Sequence, residues 1–445
     1  MQRKSWKEFD WWLLGIALAL VGYGLVVIRS ATLLADQPVS RQLLSQGTYA
    51  LIGLALLAVL AVIDYRVLGA FAVAVYAGML GLLALVLVAG TSVWGAQRWL
   101  GVGWFSFQPS EVAKVAVIIC LARFLASREQ EIGRLSTFLI SLGIVALPVA
   151  LVYRQPDLGT ALVLAAIWLG MSFVAGAPVK WLMGVLAIPF LGFPIVWRLL
   201  QDYMRRRLLT FLAPERDPLG EGYNVIQARI SVGSGGWLGR GLGNGTQTQL
   251  NFLRVQHTDF IFAVLGEELG FVGAMALLGL YGLLFWRCLR VATRSRDAFG
   301  RLLAAGVTSM LLFQVFVNVG MNIGLVPVTG ITLPLISFGG SSLVTTFLCL
   351  GLLQSVLIHS QARRYDTKPN VRVPASMRLR RARFPLRLVG QRLGGSAARR
   401  PQQPRWPAQS RAGTRDMWGM PAPPAARQAP WVSAPLPPDG HGGQP

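Results

Sequence analysis

The sequence predicts an all-α polytopic membrane protein of ten transmembrane helices, with a large extracytoplasmic loop between helices 7 and 8. Three observations support this fold class. The 445-residue chain is 53% hydrophobic and has a mean hydropathy of +0.52. Only 14% of its residues are charged, whereas soluble domains carry about 25%. Its apolar residues also fall into blocks close to the roughly 20 residues that span a bilayer core.

The apolar blocks define the elements in chain order. The first block continues without a small-residue cleavage site, so it is interpreted as a retained helix and not as a cleaved signal. The fourth block is short and starts with charged residues, and the loop after the seventh block is too long for a bare connector. The ten predicted spans are 11–29, 47–64, 68–89, 111–126, 136–153, 160–176, 180–200, 260–286, 302–325 and 335–358.

Lys and Arg in the short loops predict the orientation, because such loops stay on the cytoplasmic side. Positive residues precede the first span and recur in the loops after the second, fourth, sixth and eighth spans. They are Arg3, Lys4, Lys7, Arg66, Arg123, Arg128, Arg134, Lys180, Arg287, Arg290, Arg294, Arg296 and Arg301. Both termini are therefore predicted to be cytoplasmic, and the loops 90–110, 154–159, 201–259 and 326–334 are predicted to face outward.

The composition changes after residue 360, which predicts a membrane domain over 1–360 and a cytoplasmic tail over 361–445. The tail carries sixteen Lys and Arg against three Asp and is rich in Pro. Because it lacks apolar periodicity, we expect it to be disordered. Its Arg-rich first half suits anionic lipid; no nucleic-acid partner is expected, since no folded reader accompanies the charge. The scattered Cys and His residues predict no metal centre.

Asp259 lies where a polar run passes directly into an apolar one, between Arg254 and Gly270. One interpretation is a cap at the start of the following helix. The other is a carboxylate, held where lipid headgroups meet hydrocarbon, that acts on a lipid-linked substrate. The two roles are compatible.

Three further ionisable residues are placed near the same side of the membrane. Glu111 and Lys114 are three residues apart on one helical face, so they are expected to pair or to line a polar cavity. Asp157 is expected to cap the sixth span or to reach into the same cavity as Lys114.

Aromatic, basic and small residues supply the other candidates. Trp99 follows Arg98 among glycines and suits a stacking platform for a ligand ring, whereas Trp104 suits an interfacial belt. The amphipathic run with Arg205, Arg206 and Arg207 suits anionic headgroups. Arg240 lies in the glycine run 233–245, for which flexibility is favoured over an anion cradle. Ser341 lies in a Ser/Gly cluster that provides an anion-binding helix start or close helix packing.

Six stretches together resemble one protein family, the shape, elongation, division and sporulation family of peptidoglycan polymerases. The resemblance covers about residues 9–360. Two stretches, 222–227 and 244–250, look like the elongation members, and the division members are similar overall. One departure is Val255-Gln256, where the family often has Pro-Glu. The six stretches are Gly95–Leu100, Gln108–Lys114, Gln155–Thr160, Gly222–Gln227, Gln256–Gly270 and Leu333–Ser342.

The resemblance implies a ten-helix membrane glycosyltransferase that polymerises lipid II on the outer face of the bacterial cytoplasmic membrane. It also implies a class B penicillin-binding transpeptidase as partner. Asp259 falls on the family's essential Asp. Trp99, Lys114 and Asp157 fall on positions considered functionally important in the family.

That reaction needs a base for the acceptor hydroxyl and positive charge for the leaving diphosphate. Asp259 is assigned as the base, or as a ligand of a divalent cation such as Mg²⁺ or Mn²⁺. Lys114, the arginines 205–207 and Arg240 are the candidates for the diphosphate. Two other classes stay open: a lipid II flippase, for which Glu267 and Glu268 would add intramembrane charge, and a scaffold whose partner performs the chemistry. A polymerase for division is the alternative within the family.

Overall fold

The computed structural model describes residues 8–32, 40–93, 96–102, 105–217, 220–250, 252–253 and 257–360. The predicted disordered tail 361–445 therefore lies outside the described residues, as do Trp104 and Val255-Gln256. Fifteen α-helices, two short 3-10 helices (Glu129–Glu131 and Pro214–Arg216) and three short strands make up the described part. The strands β1 (Thr91–Val93), β2 (Ala96–Val102) and β3 (Phe105–Phe107) form one antiparallel sheet in that order.

The helices appear in chain order with the following bounds. They are α1 (Trp11–Ala31), α2 (Arg41–Val62), α3 (Tyr65–Ala70), α4 (Ala72–Ala89), α5 (Pro109–Ser127), α6 (Leu135–Arg154), α7 (Leu158–Ala175), α8 (Val179–Leu191), α9 (Phe193–Leu199), α10 (Asp202–Leu212), α11 (Glu221–Ser234), α12 (Thr246–Gln249), α13 (Ile261–Arg294), α14 (Ala298–Asn322) and α15 (Gly340–Ser360).

Eight of these helices are long and apolar enough to cross a membrane: α1, α2, α4, α6, α7, α13, α14 and α15. The chain is therefore a multi-pass, nearly all-helical membrane protein. Two of the ten predicted spans correspond to other helices. The 19-residue α5 carries Glu111, Lys114 and Arg123, and the predicted span 180–200 is divided between α8 and α9, with Pro189 near the break. The count of ten stays a prediction.

The tenth predicted span, 335–358, begins too early, because α15 starts at Gly340. Residues 335–339 instead form a turn that is tied to the turn before α13. The Ser337 hydroxyl accepts a hydrogen bond from the Leu333 N–H at 2.9 Å and donates one to the Thr258 carbonyl at 2.6 Å. The preceding Pro334 has no N–H to contribute to a helix.

The core is built around α14 and α15, whose residues are mostly buried, while α2 and α4 expose most of their apolar surface and are expected to face lipid. Small residues allow close approach of α2 and α15. A Cβ added at Gly53 would lie 2.4 Å from the Phe347 ring, and one added at Gly351 would lie 3.0 Å from the Leu57 backbone. This packing fixes α15, whose first turn borders the site described below.

The glycine run 233–245 packs its backbone against a break in α13 at Gly270, where φ is +65°. The N–H groups of Phe271 and Val272 donate to the Gly236 and Trp237 carbonyls at 2.8 and 3.0 Å. A Cβ at Gly239 would lie 2.2 Å from the Glu268 carbonyl oxygen. The run therefore provides close backbone packing and not the flexible connection predicted for it.

Candidate functional site

A polar cavity of about 340 Å³ opens among the starts of α5, α7 and α15, strand β2 and the turn before α13. Five of the predicted site residues line it together: Trp99, Lys114, Asp157, Asp259 and Ser341. They come from five separate parts of the sequence, so the fold gathers what the chain disperses. The cavity is also lined by Arg98, Gln108 and Glu111.

The backbone at Asp259 is held by two asparagine amides from α14. Asn318 and Asn322 each donate from Nδ2 to the Asp259 carbonyl oxygen at 3.1 Å. Asn322 also accepts from the Ala263 N–H at 3.1 Å, which ties the start of α13 to the end of α14. Both asparagines are fully buried, so these bonds are shielded from water and fix where the Asp259 side chain begins.

The Asp259 side chain does not cap α13. The N-cap of this helix is Phe260, and the helix start has no side-chain capping bond. Burial raises the pKa of the Asp259 carboxyl above its ordinary value, while Arg207, a hydrogen bond from Thr258 and Arg98 oppose that rise. The structure thus separates the two interpretations of this residue: its carbonyl is fixed structurally, and its carboxyl is directed to the cavity.

Asp157 is the cap that the sequence predicts for the sixth span. Its Oδ1 accepts from the Thr160 N–H at 3.1 Å, and its Oδ2 accepts from the Thr160 hydroxyl at 2.9 Å. Gln108 and Ser110 donate to the same Oδ2 at 3.3 and 3.4 Å. Oδ1 therefore caps α7, and Oδ2 joins α7 to the start of α5.

Lys114 and Glu111 form an ion pair, with 2.7 Å between Nζ and Oε2 and side chains that are 2% and 9% exposed. Both residues also line the cavity. The pairing and the cavity-wall interpretations are thus both confirmed. A buried pair of this kind depends on keeping both charges, because one partner alone would be an uncompensated charge.

Arg98 is the residue that the sequence analysis missed, although it adjoins Trp99. Its Nε donates to the Gln155 carbonyl at 3.0 Å, and its Nη2 donates to the Pro156 carbonyl. The guanidinium therefore fastens β2 to the turn that precedes α7. An arginine beside an aromatic in a loop between predicted spans is a usable signal for such a site, because a planar guanidinium can bind carbonyls and anions at once.

A second cavity, of about 270 Å³, shares Asp259 with the first. Tyr203, Arg207, Phe260 and Val328 are among its lining residues. Arg207 donates from Nη1 to the Val328 carbonyl at 3.2 Å. Of the three adjacent arginines on α10, Arg207 is therefore the one whose side chain lies beside Asp259.

Three predicted binding residues line neither cavity. Arg205 donates to the carbonyls of Trp197 and Arg198, both at 2.9 Å, so it joins α10 to α9. Arg206 is exposed. Arg240 donates to the Thr246 hydroxyl at 2.7 Å and helps to order the glycine run. All three were predicted from their charge, and charge does not determine which way each side chain points.

Comparison with known proteins identifies the fold and the family. The family model FTSW_RODA_SPOVE, a cell cycle protein family, matches residues 10–362. The chain belongs to this family. The resemblance drawn from the six motifs is thereby confirmed.

Individual relatives match over most of their own length. The chain is 43% identical to the peptidoglycan glycosyltransferase MrdB of Escherichia coli K12 over 350 residues, which cover 78% of this chain and 93% of the relative. It is also similar to a chain in a solved structure of a peptidoglycan synthase complex that coordinates polymerization and crosslinking. The TM-score is 0.69 and the identity 37%, and the match covers 79% of this chain and 98% of the other. The crystal structure of the rod shape determining protein RodA of Thermus thermophilus matches with a TM-score of 0.61, 34% identity and coverage of 80% and 98%.

Proposed function

We propose that this chain is a peptidoglycan glycosyltransferase that polymerises lipid II, with Asp259 as the proton acceptor. The observation that carries the proposal is the position of the Asp259 carboxyl at the junction of two cavities. Of the three carboxyls that line the larger cavity, Asp157 caps a helix and Glu111 pairs with Lys114. Asp259 does neither. Membership of the family and the similarity to the E. coli peptidoglycan glycosyltransferase support the same reaction.

The reaction joins two lipid-linked sugars, and the junction of two cavities suits two such substrates. The 4-hydroxyl of the acceptor sugar attacks the anomeric carbon of the donor. The new C–O bond forms as the bond from the anomeric carbon to the diphosphate oxygen breaks. The acceptor proton passes to the Asp259 carboxylate. Since α-linked donor gives β-linked product in this family, a single in-line displacement with inversion is the simplest course.

The leaving group explains why one carboxyl is sufficient. Diphosphate departs unprotonated, so the site needs no second carboxyl as general acid, in contrast to a glycoside hydrolase. It does need positive charge to stabilise the diphosphate as it leaves. We assign this role to Lys114 and Arg98 on the larger cavity and to Arg207 on the smaller one. Trp99 supplies a ring face for a sugar or peptide group.

A divalent cation fits this arrangement. Mg²⁺ is commonly bound by one or two carboxylates together with substrate phosphates, and Asp259 would be its protein ligand beside the diphosphate. Within the described residues no cluster of three His, Cys, Asp or Glu side chains provides a cation cage, which accords with a cation held largely by substrate. When bound, it would neutralise charge on the diphosphate.

We propose that both termini are cytoplasmic and that the cavity with Asp259 faces outward, on the basis of the Lys and Arg distribution in the short loops. We further propose a class B penicillin-binding transpeptidase as the partner. The similarity to a chain of a peptidoglycan synthase complex that coordinates polymerization and crosslinking supports this assignment. The similarity to a rod shape determining protein supports a role in cell elongation over one in division.

A flippase is the rival activity, and the roles of Glu267 and Glu268 argue against it. Glu267 accepts from the N–H groups of Gln247 and Thr248 at 2.8 and 3.2 Å. Glu268 accepts from the Ser30 hydroxyl at 2.7 Å. Glu268 also accepts from the Gly243 N–H at 3.3 Å. Glu267 therefore holds the long loop onto α13, and Glu268 holds both that loop and α1. Neither residue lines the cavities at Asp259.

The deciding experiment is polymerisation of lipid II by the purified full chain in detergent, with and without a chelator. Glycan strands are expected, because no membrane has to be crossed for this activity. A chain that yields no polymer under conditions where a purified family member does would support a flippase or a scaffold. Loss of product on chelation, restored by Mg²⁺ or Mn²⁺, would establish the cation.

A further inference from the structure

A separate cavity, of about 470 Å³, lies at the other end of the helix bundle. It opens to the surface and is bordered by the short helix α3, the last turns of α5 and the connection from α13 to α14. Arg66, Arg123, Glu129, Arg296 and Asp297 supply its charged lining. Because α14 begins here and ends beside Asp259, the length of α14, roughly 37 Å for 25 residues, separates the two sites.

The two acidic residues of this cavity are engaged by neighbours. Asp297 caps α14, accepting from the Gly300 N–H at 3.1 Å, and it also accepts a hydrogen bond from the Tyr65 hydroxyl. Glu129 pairs with Arg301 at 2.8 Å. Both acidic residues therefore have defined partners, and the three lining arginines outnumber them by one.

The arginines are less well compensated. Arg66 lies 3.6 Å from Asp64 and 3.9 Å from Asp297, which are long ion pairs. Arg123 and Arg296 are exposed and, within the part of the chain that the structure describes, form no ion pair or hydrogen bond. Three guanidinium groups thus border one cavity with an excess of positive charge. Guanidinium is well suited to phosphate oxygens, which it can bind through two parallel N–H groups.

The cavity also lies where three helices that are long and apolar enough to cross a membrane end or begin: α2, α13 and α14. Arg123 is in the second-to-last turn of α5, Arg66 follows the end of α2 by four residues, and Arg296 lies between the ends of α13 and α14. Ala126, Gly69 and Phe299 give it an apolar wall. Basic pockets at the ends of membrane helices bind anionic lipid headgroups.

We propose that this cavity binds the phosphate group of an anionic phospholipid from the leaflet opposite Asp259. A free phosphate anion shares the same chemistry. The position at the ends of membrane helices and the apolar wall favour the lipid. A bound lipid would add a link among these three helix connections, beside the long ion pairs of Arg66 and the 2.8 Å pair of Arg301 with Glu129. Its occupancy is then expected to raise the melting temperature of the whole bundle.

The test uses the full chain in detergent, with retained lipid measured by native mass spectrometry and by melting temperature. Phosphatidylglycerol, phosphatidylcholine and inorganic phosphate are added separately. The variant is Arg123→Gln with Arg296→Gln. The matched control is Arg128→Gln with Arg134→Gln, which removes the same charge at the same end of the bundle, from exposed residues that pair with Glu131 and do not line the cavity.

Phosphatidylglycerol is expected to bind and stabilise the wild-type chain and the control. The Arg123/Arg296 variant should bind it about thirtyfold more weakly, as expected for two basic contacts. Arg123→Lys with Arg296→Lys should restore most of the affinity. Equal weakening of both double Gln variants, unchanged binding in the Arg123/Arg296 variant, or stabilisation by inorganic phosphate alone would each overturn the proposal. Polymerisation is not the readout, so failure here is distinguishable from failure of the proposed activity.

Discussion

Asp157 and Asp259 lie at the starts of two helices that border the same cavity, and their carboxyl groups have different roles. At the start of α7, the carboxyl of Asp157 accepts from the Thr160 N–H and hydroxyl, Gln108 and Ser110. At the start of α13, the backbone of Asp259 is held by Asn318 and Asn322, and no side chain caps the helix. The first aspartate uses its carboxyl for structure, and the second has its carboxyl directed to the cavities.

The difference shows how one residue type serves two purposes in one cavity. The Asp157 carboxyl is occupied by hydrogen bonds that hold the start of α7. Burial raises the pKa of the Asp259 carboxyl, so this carboxyl binds a proton more strongly, as a base acting near neutral pH must.

The largest expected effect is that of Asp259→Asn on turnover. Loss of a general base typically costs on the order of a hundredfold to ten-thousandfold in rate, so lipid II polymerisation should nearly vanish. The melting temperature should not fall, because Asn318 and Asn322 bind the backbone carbonyl of residue 259, which an Asn at this position retains. A variant that polymerises at close to the wild-type rate would mean that the Asp259 carboxylate is not the base.

The pH dependence of the wild-type chain follows from the direction of the pKa shift of Asp259. The protonated form cannot accept a proton, so the rate should fall by about tenfold for each unit below the raised pKa. For stability the sign is opposite: a raised folded-state pKa stabilises the fold at low pH, and this contribution is lost as the pH rises through that pKa. A rate that stays constant down to about pH 4, the ordinary value for Asp, would argue against the assignment.

The next effect is that of Lys114→Met, which leaves Glu111 as a buried, unpaired charge. Breaking such a pair costs roughly 3–5 kcal/mol of unfolding free energy, so the melting temperature should fall clearly. Adding Glu111→Gln should recover most of the stability, because neither charge is then left alone. The double variant should not recover turnover, since the positive charge that Lys114 places beside the diphosphate is still missing. Full recovery of turnover in the double variant would show that Lys114 serves only the pair.

Asp157→Asn should lower stability by a smaller amount, about 1–3 kcal/mol, which is typical of losing hydrogen bonds to a charged acceptor. Asn can keep the helix cap, but its amide cannot accept from the Thr160 hydroxyl, Gln108 and Ser110 as Oδ2 does. The check is the melting temperature of this variant beside that of Asp259→Asn. A larger loss of stability in Asp259→Asn than in Asp157→Asn would show that the Asp259 carboxyl has the greater structural role.

The smallest effect is expected from removal of the tail. The family match ends at residue 362, and the composition of 361–445 predicts disorder. Truncation after Ser360 should leave polymerisation in detergent unchanged. An inactive truncated chain with a normal melting temperature would show that the tail takes part in the reaction.

Much of this arrangement could be predicted from the sequence because it is encoded locally. Apolar blocks predict spans, and an aspartate before an apolar run predicts a helix entry. The Glu111–Lys114 pair follows from helical spacing. These features depend on neighbours in the sequence, so periodicity and charge position are sufficient to find them.

The features that escaped prediction depend on contacts between distant segments. The hydrogen bonds from Asn318 and Asn322 to the Asp259 carbonyl form only because the end of α14 meets the start of α13. The late start of α15 follows from the bonds of Ser337 to Leu333 and Thr258. Arg205 and Arg240 differ from Arg207 only in which way the fold directs them, and no local pattern contains that information.

The most direct test of the central claim is turnover per folded molecule, measured side by side for Asp259→Asn and Asp157→Asn. Both purified chains are assayed with lipid II, and the rate is divided by the folded fraction from a melting curve at the assay temperature. The account predicts a loss on the order of a hundredfold or more for Asp259→Asn and a clearly smaller loss for Asp157→Asn. Equal losses, or a greater loss for Asp157→Asn, would contradict the assignment of Asp259 as the base.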